Sequence, residues 1–376
     1  MKALFFSYVD FEDPTAVGVV KKVRAQIEAF KNAGVDVKHV YRKGNKMLID
    51  GKVIGNFFNL AHWLLTYWKS SLRIVGSEKP DFVYMRYVFP AHVGTLKLFR
   101  SLKREGLFLV VEFPTFPYVN ESSKKLFVIS DNLFAKKLGK YIDIAVTPAN
   151  VSEPILGAKT IRISNGVDLR TTPKKRNKLS IDDVFNLIGV ANVSHWHGFD
   201  RVIYGIARYY AKHGTSAQPE VFFHIVGVGK NLIELQNLAR SLGVGKYVIF
   251  HGTKVSDELD RLFDMSHVAV GSLGNHRKGL KESSDLKTRE YCARGIPFVI
   301  SYEDEDFSDG FPYMLKVEAT DEPIDINSVI NFYRNVFHMD YINEMRKYAE
   351  ERLSWDVKLK PLIQELFKFP MKRSGI

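Results

Sequence analysis

Short runs of apolar residues alternate with amphipathic stretches along most of this chain. Ala3 to Tyr8 is an apolar run. Gly18 to Ala33 follows with Val19, Val23, Ile27 and Phe30 on one helical stripe and Gly34 as its stop, and Val35 to Tyr41 reads as the next strand. That is a β-α-β unit. Phe82 to Arg86, Phe108 to Glu112, Ile142 to Thr147 and Thr160 to Ile163 continue the strand series. Asn56 to Val75 is predicted to be a helix with apolar residues on most of its circumference, Phe57, Leu60, Leu64 and Trp68 on one side; a packing helix is expected ahead of a membrane-surface one, because only Lys69 and Arg73 supply cationic flanks.

A polar stretch, Leu169 to Asp183, breaks the pattern and is predicted to be the linker. Alternation then resumes. Strands are expected at Val184–Ala191, Val221–Val226, Tyr247–His251, His267–Val270 and Phe298–Ser301. Helices are expected at Phe199–Lys212, Asn231–Leu242, Ser256–Met265 and Ser284–Arg294. The expected fold class is α/β, two doubly wound parallel sheets, with ligands at the carboxyl ends of the strands and a cleft where the two sheets face each other.

Composition narrows the class. A chain of 376 residues, 45% apolar, has core enough for two domains. The single cysteine, Cys292, excludes an internal disulfide and fits a reducing compartment. Neither a signal peptide nor a membrane-spanning segment is read, so the cytoplasm is the expected location, with peripheral contact at the inner face of the cell membrane. Residues 1–168 hold 25 Lys and Arg against 15 Asp and Glu, while the remainder hold 29 against 27. Positive charge concentrated in the front half suits an anionic partner, or a merely soluble basic surface. Its cations are scattered and lack interleaved aromatic stacking motifs, so nucleic acid is not an expected partner.

The segment from Lys281 to Val299 carries the strongest chemistry. Ser284 or Asp285 can cap a helix that ends at Arg294, stops at Gly295 and passes through Pro297 into a strand. Glu282 then lies just outside the helix and Glu290 within it, a spacing that suits opposite ends of one extended ligand and, taken alone, equally suits ordinary decoration of a helix face. The free N–H groups of the helix start suit a diphosphate, and a carboxylate suits a ribose diol.

This segment resembles the glutamate-x7-glutamate signature of retaining GT-B glycosyltransferases of family 4. Ser164-Asn165-Gly166-Val167-Asp168 resembles the turn closing that family's N-terminal domain, and Ala191 to Arg201 its first C-domain phosphate loop. His224 to Gly229 and Val248 to Gly252 resemble its nucleotide-holding strand ends, and Leu353-Ser354-Trp355-Asp356 the start of its returning helix. The resemblance implies an acceptor domain at 1–168 completed by 355–376, and a nucleotide-sugar domain at 169–354.

It further implies that Glu290 binds the donor ribose, that Glu282 contacts the transferred sugar, and that Ser283 and Ser284 sit on the diphosphate beside Gly229. The family's arginine and lysine in the first phosphate loop are here Asn192 and His197. Neutralisation of the leaving diphosphate is therefore expected from Lys287 with Arg277 or Lys278, with Lys281 and Arg201 as further candidates, and His197 as a hydrogen-bond donor. Glu112 falls about where many members have a histidine; it would orient an acceptor hydroxyl or the donor sugar, or simply end its strand. Gly18, Arg86 and Tyr118 are expected to face the acceptor. Retention of configuration implies electrostatic stabilisation of the leaving phosphate and no dedicated nucleophile.

No cofactor and no metal are expected. Asp304-Glu305-Asp306 is read as a solvated turn, and His195-Trp196-His197 lacks a third ligand. The implied partners are a nucleotide sugar, a glycan or polyprenyl-diphosphate-linked saccharide acceptor, and an anionic membrane surface, in capsule or surface polysaccharide assembly. A nucleotide-sugar epimerase of the same fold, or a binding protein with a degenerate donor site, are the alternatives.

Overall fold

A computed structural model describes residues 1–116, 125–214 and 217–369. The chain divides into two compact units, Met1–Ser164 with Trp355–Ile376, and Asn165–Ser354.

The first unit runs β1 (Lys2–Asp10), α1 (Val17–Asn32), β2 (Asp36–Lys43), β3 (Lys46–Ile49), β4 (Lys52–Asn56), α2 (Leu60–Glu78), β5 (Phe82–Arg86), α3 (Val93–Arg104), β6 (Phe108–Glu112), α4 (Lys125–Leu138), β7 (Ile144–Thr147) and β8 (Lys159–Arg162). Its sheet has the order β4-β3-β2-β1-β5-β6-β7-β8, parallel except for the β2-β3-β4 edge. That antiparallel edge is absent from the sequence reading. It turns at Asp50-Gly51, where both residues have positive φ, the backbone an Asp-Gly hairpin favours.

In α2 the buried stripe is Trp63, Tyr67, Ser71 and Ile74, whereas Leu60 is exposed and Trp68 only half-buried. The buried side is thus offset by a position from the apolar side Leu60, Leu64 and Trp68. Aromatic packing selects this face: the Tyr8 ring lies 5.1 Å from Tyr67 and 5.9 Å from Trp63, and its hydroxyl hydrogen-bonds with Ser71 Oγ at 2.6 Å.

The second unit runs β9 (Val184–Val190), α5 (Phe199–His213), β10 (Glu220–Val226), α6 (Leu232–Ser241), β11 (Val248–Gly252), α7 (Ser256–Asp264), β12 (Val268–Val270), α8 (Leu286–Arg294), β13 (Phe298–Ile300), β14 (Met314–Lys316), α9 (Ile326–Phe337) and α10 (Tyr341–Tyr348). Its six strands are all parallel, in the order β11-β10-β9-β12-β13-β14. Central strands such as Phe185 to Ile188 and Phe298 to Ile300 are almost wholly apolar, as a sheet covered on both faces requires. Helices α11 (Trp355–Lys358) and α12 (Lys360–Lys368) return to the first unit, where the Lys22 ammonium lies 5.3 Å from the Trp355 ring centre.

The polar stretch 169–183 is not a free linker. It belongs to the second unit, with the Lys175 N–H donating to Arg294 O and the Lys175 ammonium donating to the carbonyls of Phe263, Asp264 and Ser266 at the end of α7. A buried lysine on a helix C-terminus complements the dipole and satisfies orphan carbonyls.

Candidate active site

Two loops meet at the carboxyl ends of β9 and β10 because glycine permits it. A Cβ on Gly227 would sit 1.9 Å from Ala191 O, and one on Gly229 would sit 2.1 Å from Val193 O. Their φ values, +125° and +158°, are equally unsuited to side chains. The loops are joined by the Val193 N–H donating to Val228 O at 2.7 Å. Gly229 therefore locks the backbone that carries Asn192 and His197. Asn192 is exposed, with its carbonyl accepting from Ser194 Oγ.

His197 is buried, and its Nδ1 accepts the Ser194 N–H at 3.0 Å. That bond leaves the ring proton on Nε2, so His197 is a hydrogen-bond donor in its neutral form. Burial pushes its pKa down to about 2, helped by the nearby Lys287 and Lys278 ammoniums. It donates uncharged at neutral pH, which removes any contribution as a cation.

The segment after β12 is zipped to the same loop, Leu273 N–H donating to His197 O and Gly274 N–H to Trp196 O. Arg277 secures this junction. It makes a two-point pair with Asp200, donates to the His195 carbonyl and pairs with Asp321. Arg201 likewise spends its donors on the carbonyls of Leu273, Glu318 and Glu322. Neither is placed as a diphosphate clamp; both hold loops. Lys278 is exposed, its ammonium 4.8 Å from the Trp196 ring centre, and Lys281 is exposed as well.

Asp285 stands at the N-cap of α8, and its carboxylate accepts from the hydroxyls of Ser283 and Ser272. The Lys287 ammonium donates to Ser272 Oγ at 3.1 Å. Burial pushes Lys287 down to about 8, against the pull of Asp285. A partly buried ammonium beside a helix N-terminus and a neutral imidazole donor form a site suited to a diphosphate. Ser284 Oγ accepts the Asn165 N–H at 2.7 Å, so this serine ties the 165–168 turn to α8.

Glu282 is exposed and bridges to Glu303 along the backbone. Glu290 lies within the helix, beyond its first turn. One of its oxygens accepts two bonds from Arg294, which also pairs with Asp260, while its second oxygen accepts none among the described residues. The glutamate is thus oriented by Arg294 with acceptor capacity left for a ligand.

In the first unit, Glu112 and Arg86 end adjacent parallel strands, paired in register. Glu112 is buried and accepts from Lys22 at 2.7 Å, Arg86 at 3.2 Å and Gln26 at 3.4 Å. Burial alone would raise its pKa; the two cations outweigh it and hold the carboxyl down at about 2. A carboxylate that acidic and that fully engaged is a poor general base, and its contacts match the strand-ending reading of Glu112: it fixes Lys22 and Arg86. Among the described residues Arg86 makes only this one hydrogen bond, leaving donors for an anionic ligand. Gly18 is exposed in the first turn of α1. Tyr118 lies outside the described residues.

Residues 171–308, a little over a third of the chain, match the family model of glycosyl transferases group 1. The fold is GT-B. No curated protein matches by sequence. Sucrose-phosphate synthase from Thermosynechococcus elongatus superposes with a TM-score of 0.66 at 14% identity, covering 98% of this chain and 100% of that one. WaaG, a glycosyltransferase involved in lipopolysaccharide biosynthesis, gives 0.60 at 12% over 97% and 99%. A protein assigned as a UDP-N-acetylglucosamine 2-epimerase from Listeria monocytogenes gives 0.55 at 10% over 100% and 99%.

The family match spans the GT-B segment that holds His197, Lys287 and Glu290. Sequence reasoning missed Ser272, which receives the Lys287 ammonium, Arg294, which orients Glu290, and Arg289. Arg289 has a completely buried side chain and donates to Asp304, Asp306, Thr288 Oγ1 and the carbonyls of Asn165 and Asp285. Asp304-Glu305-Asp306 is accordingly not a solvated turn: its two aspartates neutralise a buried guanidinium that braces α8. Among the described residues no three His, Cys, Asp or Glu side chains are grouped to hold a metal ion.

Proposed function

We propose that the chain is a retaining, metal-independent glycosyltransferase of family 4. It would move a sugar from a nucleoside-diphosphate sugar to a lipid-linked saccharide at the cytoplasmic membrane surface, in capsule or other surface polysaccharide synthesis. The observation that carries the donor half is Lys287 with the neutral Nε2–H donor of His197 at the N-terminal end of α8. In this reading the Lys287 ammonium and the α8 amides take the charge that develops on the leaving diphosphate, His197 donates to it, Glu290 accepts from the ribose hydroxyls, and Glu282 meets the transferred sugar. Sugar transfer with retention then needs acceptor positioning rather than a side-chain nucleophile.

The acceptor half is supported by the cationic pair Lys22 and Arg86, held by one glutamate with net positive charge to spare at the carboxyl ends of β5 and β6. Such a pair suits the phosphate of a lipid-linked acceptor. An epimerase of the same fold would turn over donor with no acceptor present. Incubating the protein with each nucleoside-diphosphate sugar, with and without a short-chain polyprenyl-diphosphate saccharide, separates the two: acceptor-dependent release of nucleoside diphosphate with a new α- or β-bond matching the donor's anomer supports transfer. Acceptor-independent formation of an epimer would replace it.

A further inference from the structure

Helices α2, α3 and α4 each lead into one of the parallel strands β5, β6 and β7, and α3 packs against both of the others. Their N-terminal ends therefore lie together at the carboxyl end of the sheet, the end that carries Arg86 and Glu112. Their outward positions share one order. Exposed apolar residues come first: Phe58 just before α2, then Leu65, Val93, Leu126, Ile129 and Leu133, each more than half exposed. Cations follow toward the C-terminal ends: Lys69 and Arg73 on α2, Lys97 and Arg100 on α3, Lys136 and Lys137 on α4. Among the described residues Lys125 is the one cation at the apolar ends, and no exposed residue of the three helices is Asp or Glu. Lys69 and Lys97 flank the Trp68 ring, 5.6 and 5.4 Å from its centre, which sets an aromatic ring at the boundary between the two zones.

We propose that this three-helix face docks on an anionic lipid bilayer, with the apolar ends entering the acyl boundary and the cations lying at the headgroups. Charge complementarity selects this occupant. The first unit, with its C-terminal helices, holds 30 Lys and Arg against 16 Asp and Glu, and the second holds 24 against 26. A nucleic acid would match the cations but leave the apolar ends in water. A bilayer satisfies both, because interfacial helices combine a buried apolar edge with basic residues at headgroup depth. The cations act together, each one near an anionic surface strengthening binding roughly fivefold. Docking in this orientation presents the carboxyl end of the sheet to the membrane, where a lipid-linked acceptor would be met. This assignment deepens the proposed function and rests on its lipid-linked acceptor.

The test is sedimentation of the full chain with vesicles of phosphatidylcholine, alone or with about one third phosphatidylglycerol. The protein is expected on the anionic vesicles only, and to leave them as salt rises from about 0.1 to about 0.5 M. Arg73→Glu/Arg100→Glu/Lys136→Glu should weaken vesicle binding at least tenfold, and Leu65→Ser/Ile129→Ser should weaken it without changing the salt dependence. Both variants should retain the wild-type melting temperature and the same thermal shift with nucleoside diphosphate. No binding to either vesicle, equal binding to both, or unchanged binding of both variants overturns the docking face. Absence of a nucleotide shift in the wild type overturns the transferase reading instead, and leaves the vesicle result standing.

Discussion

The Lys287 ammonium donates to the Ser272 hydroxyl at 3.1 Å, and Ser272 in turn donates to the carboxylate of Asp285 at the head of α8. This relay holds a cation beside the exposed amides of a helix start without neutralising it by direct pairing. Its proton is the weak point: burial lowers Lys287 to about 8. A lysine whose folded pKa lies below its unfolded value costs stability while charged, and that cost is relieved as pH rises from about 8 toward ~10.5.

The unliganded protein should thus gain stability relative to Lys287→Met as pH climbs through this window. Nucleoside-diphosphate affinity should fall over the same range, because the ligand needs the charged form. Isothermal titration at several pH values, on the wild type and on Lys287→Arg, checks this: the arginine variant should keep its affinity above pH ~9. An identical decline in both proteins would assign the decline to another group.

His197 should act as a neutral donor. His197→Gln, which can present an amide N–H near the position of Nε2, should retain most nucleotide affinity, and His197→Phe should lose roughly tenfold to a hundredfold. Nitrogen NMR of the imidazole should report the Nε2–H tautomer across the neutral range, since protonation waits until about pH 2. An imidazolium signal at mildly acidic pH would contradict the assignment.

Glu112 should behave as a structural charge. Its folded pKa of about 2 lies below the ordinary carboxylate value, so its stabilisation is present above pH ~4.5 and is lost as pH falls toward 2. Glu112→Gln leaves Lys22 and Arg86 facing each other in a buried place and should cost about 3–5 kcal/mol. A drop of roughly 10 °C in melting temperature is expected. Unchanged melting with a large loss of kcat would restore it to a catalytic role.

Gly229→Ala should break the site without touching a ligand. The new Cβ would meet Val193 O at 2.1 Å, so the 191–194 loop must move, and His197 with it. Nucleotide affinity should fall at least tenfold, with only a modest change in melting temperature.

What the sequence revealed follows from the range of the interactions involved. The series of parallel strands as far as β13 was legible because burial imposes its period locally, and α8 was legible because Asp285, Gly295 and Pro297 mark its ends within a few residues; β14, α9 and α10 were not read. The roles of Arg277 and Glu112 were not, since their partners Asp200, Asp321, Lys22 and Arg86 are brought in from distant elements. Arg289 looks like any helix-face cation until Asp304 and Asp306 fold over it. The β3-β4 hairpin had a local signal in Asp50-Gly51, but its strands are too short for alternation to announce them.

The most direct measurement is titration of UDP, GDP, ADP, CMP and TDP into the wild type, Lys287→Ala and Glu290→Ala, read as thermal shift. At about a hundred times the dissociation constant, a true ligand adds ~2.7 kcal/mol of stability. The account predicts a shift with one diphosphate that is abolished or strongly reduced in both variants. No shift with any nucleotide, or a shift that survives both substitutions, would contradict the assignment of the α8 N-terminal end as the donor site.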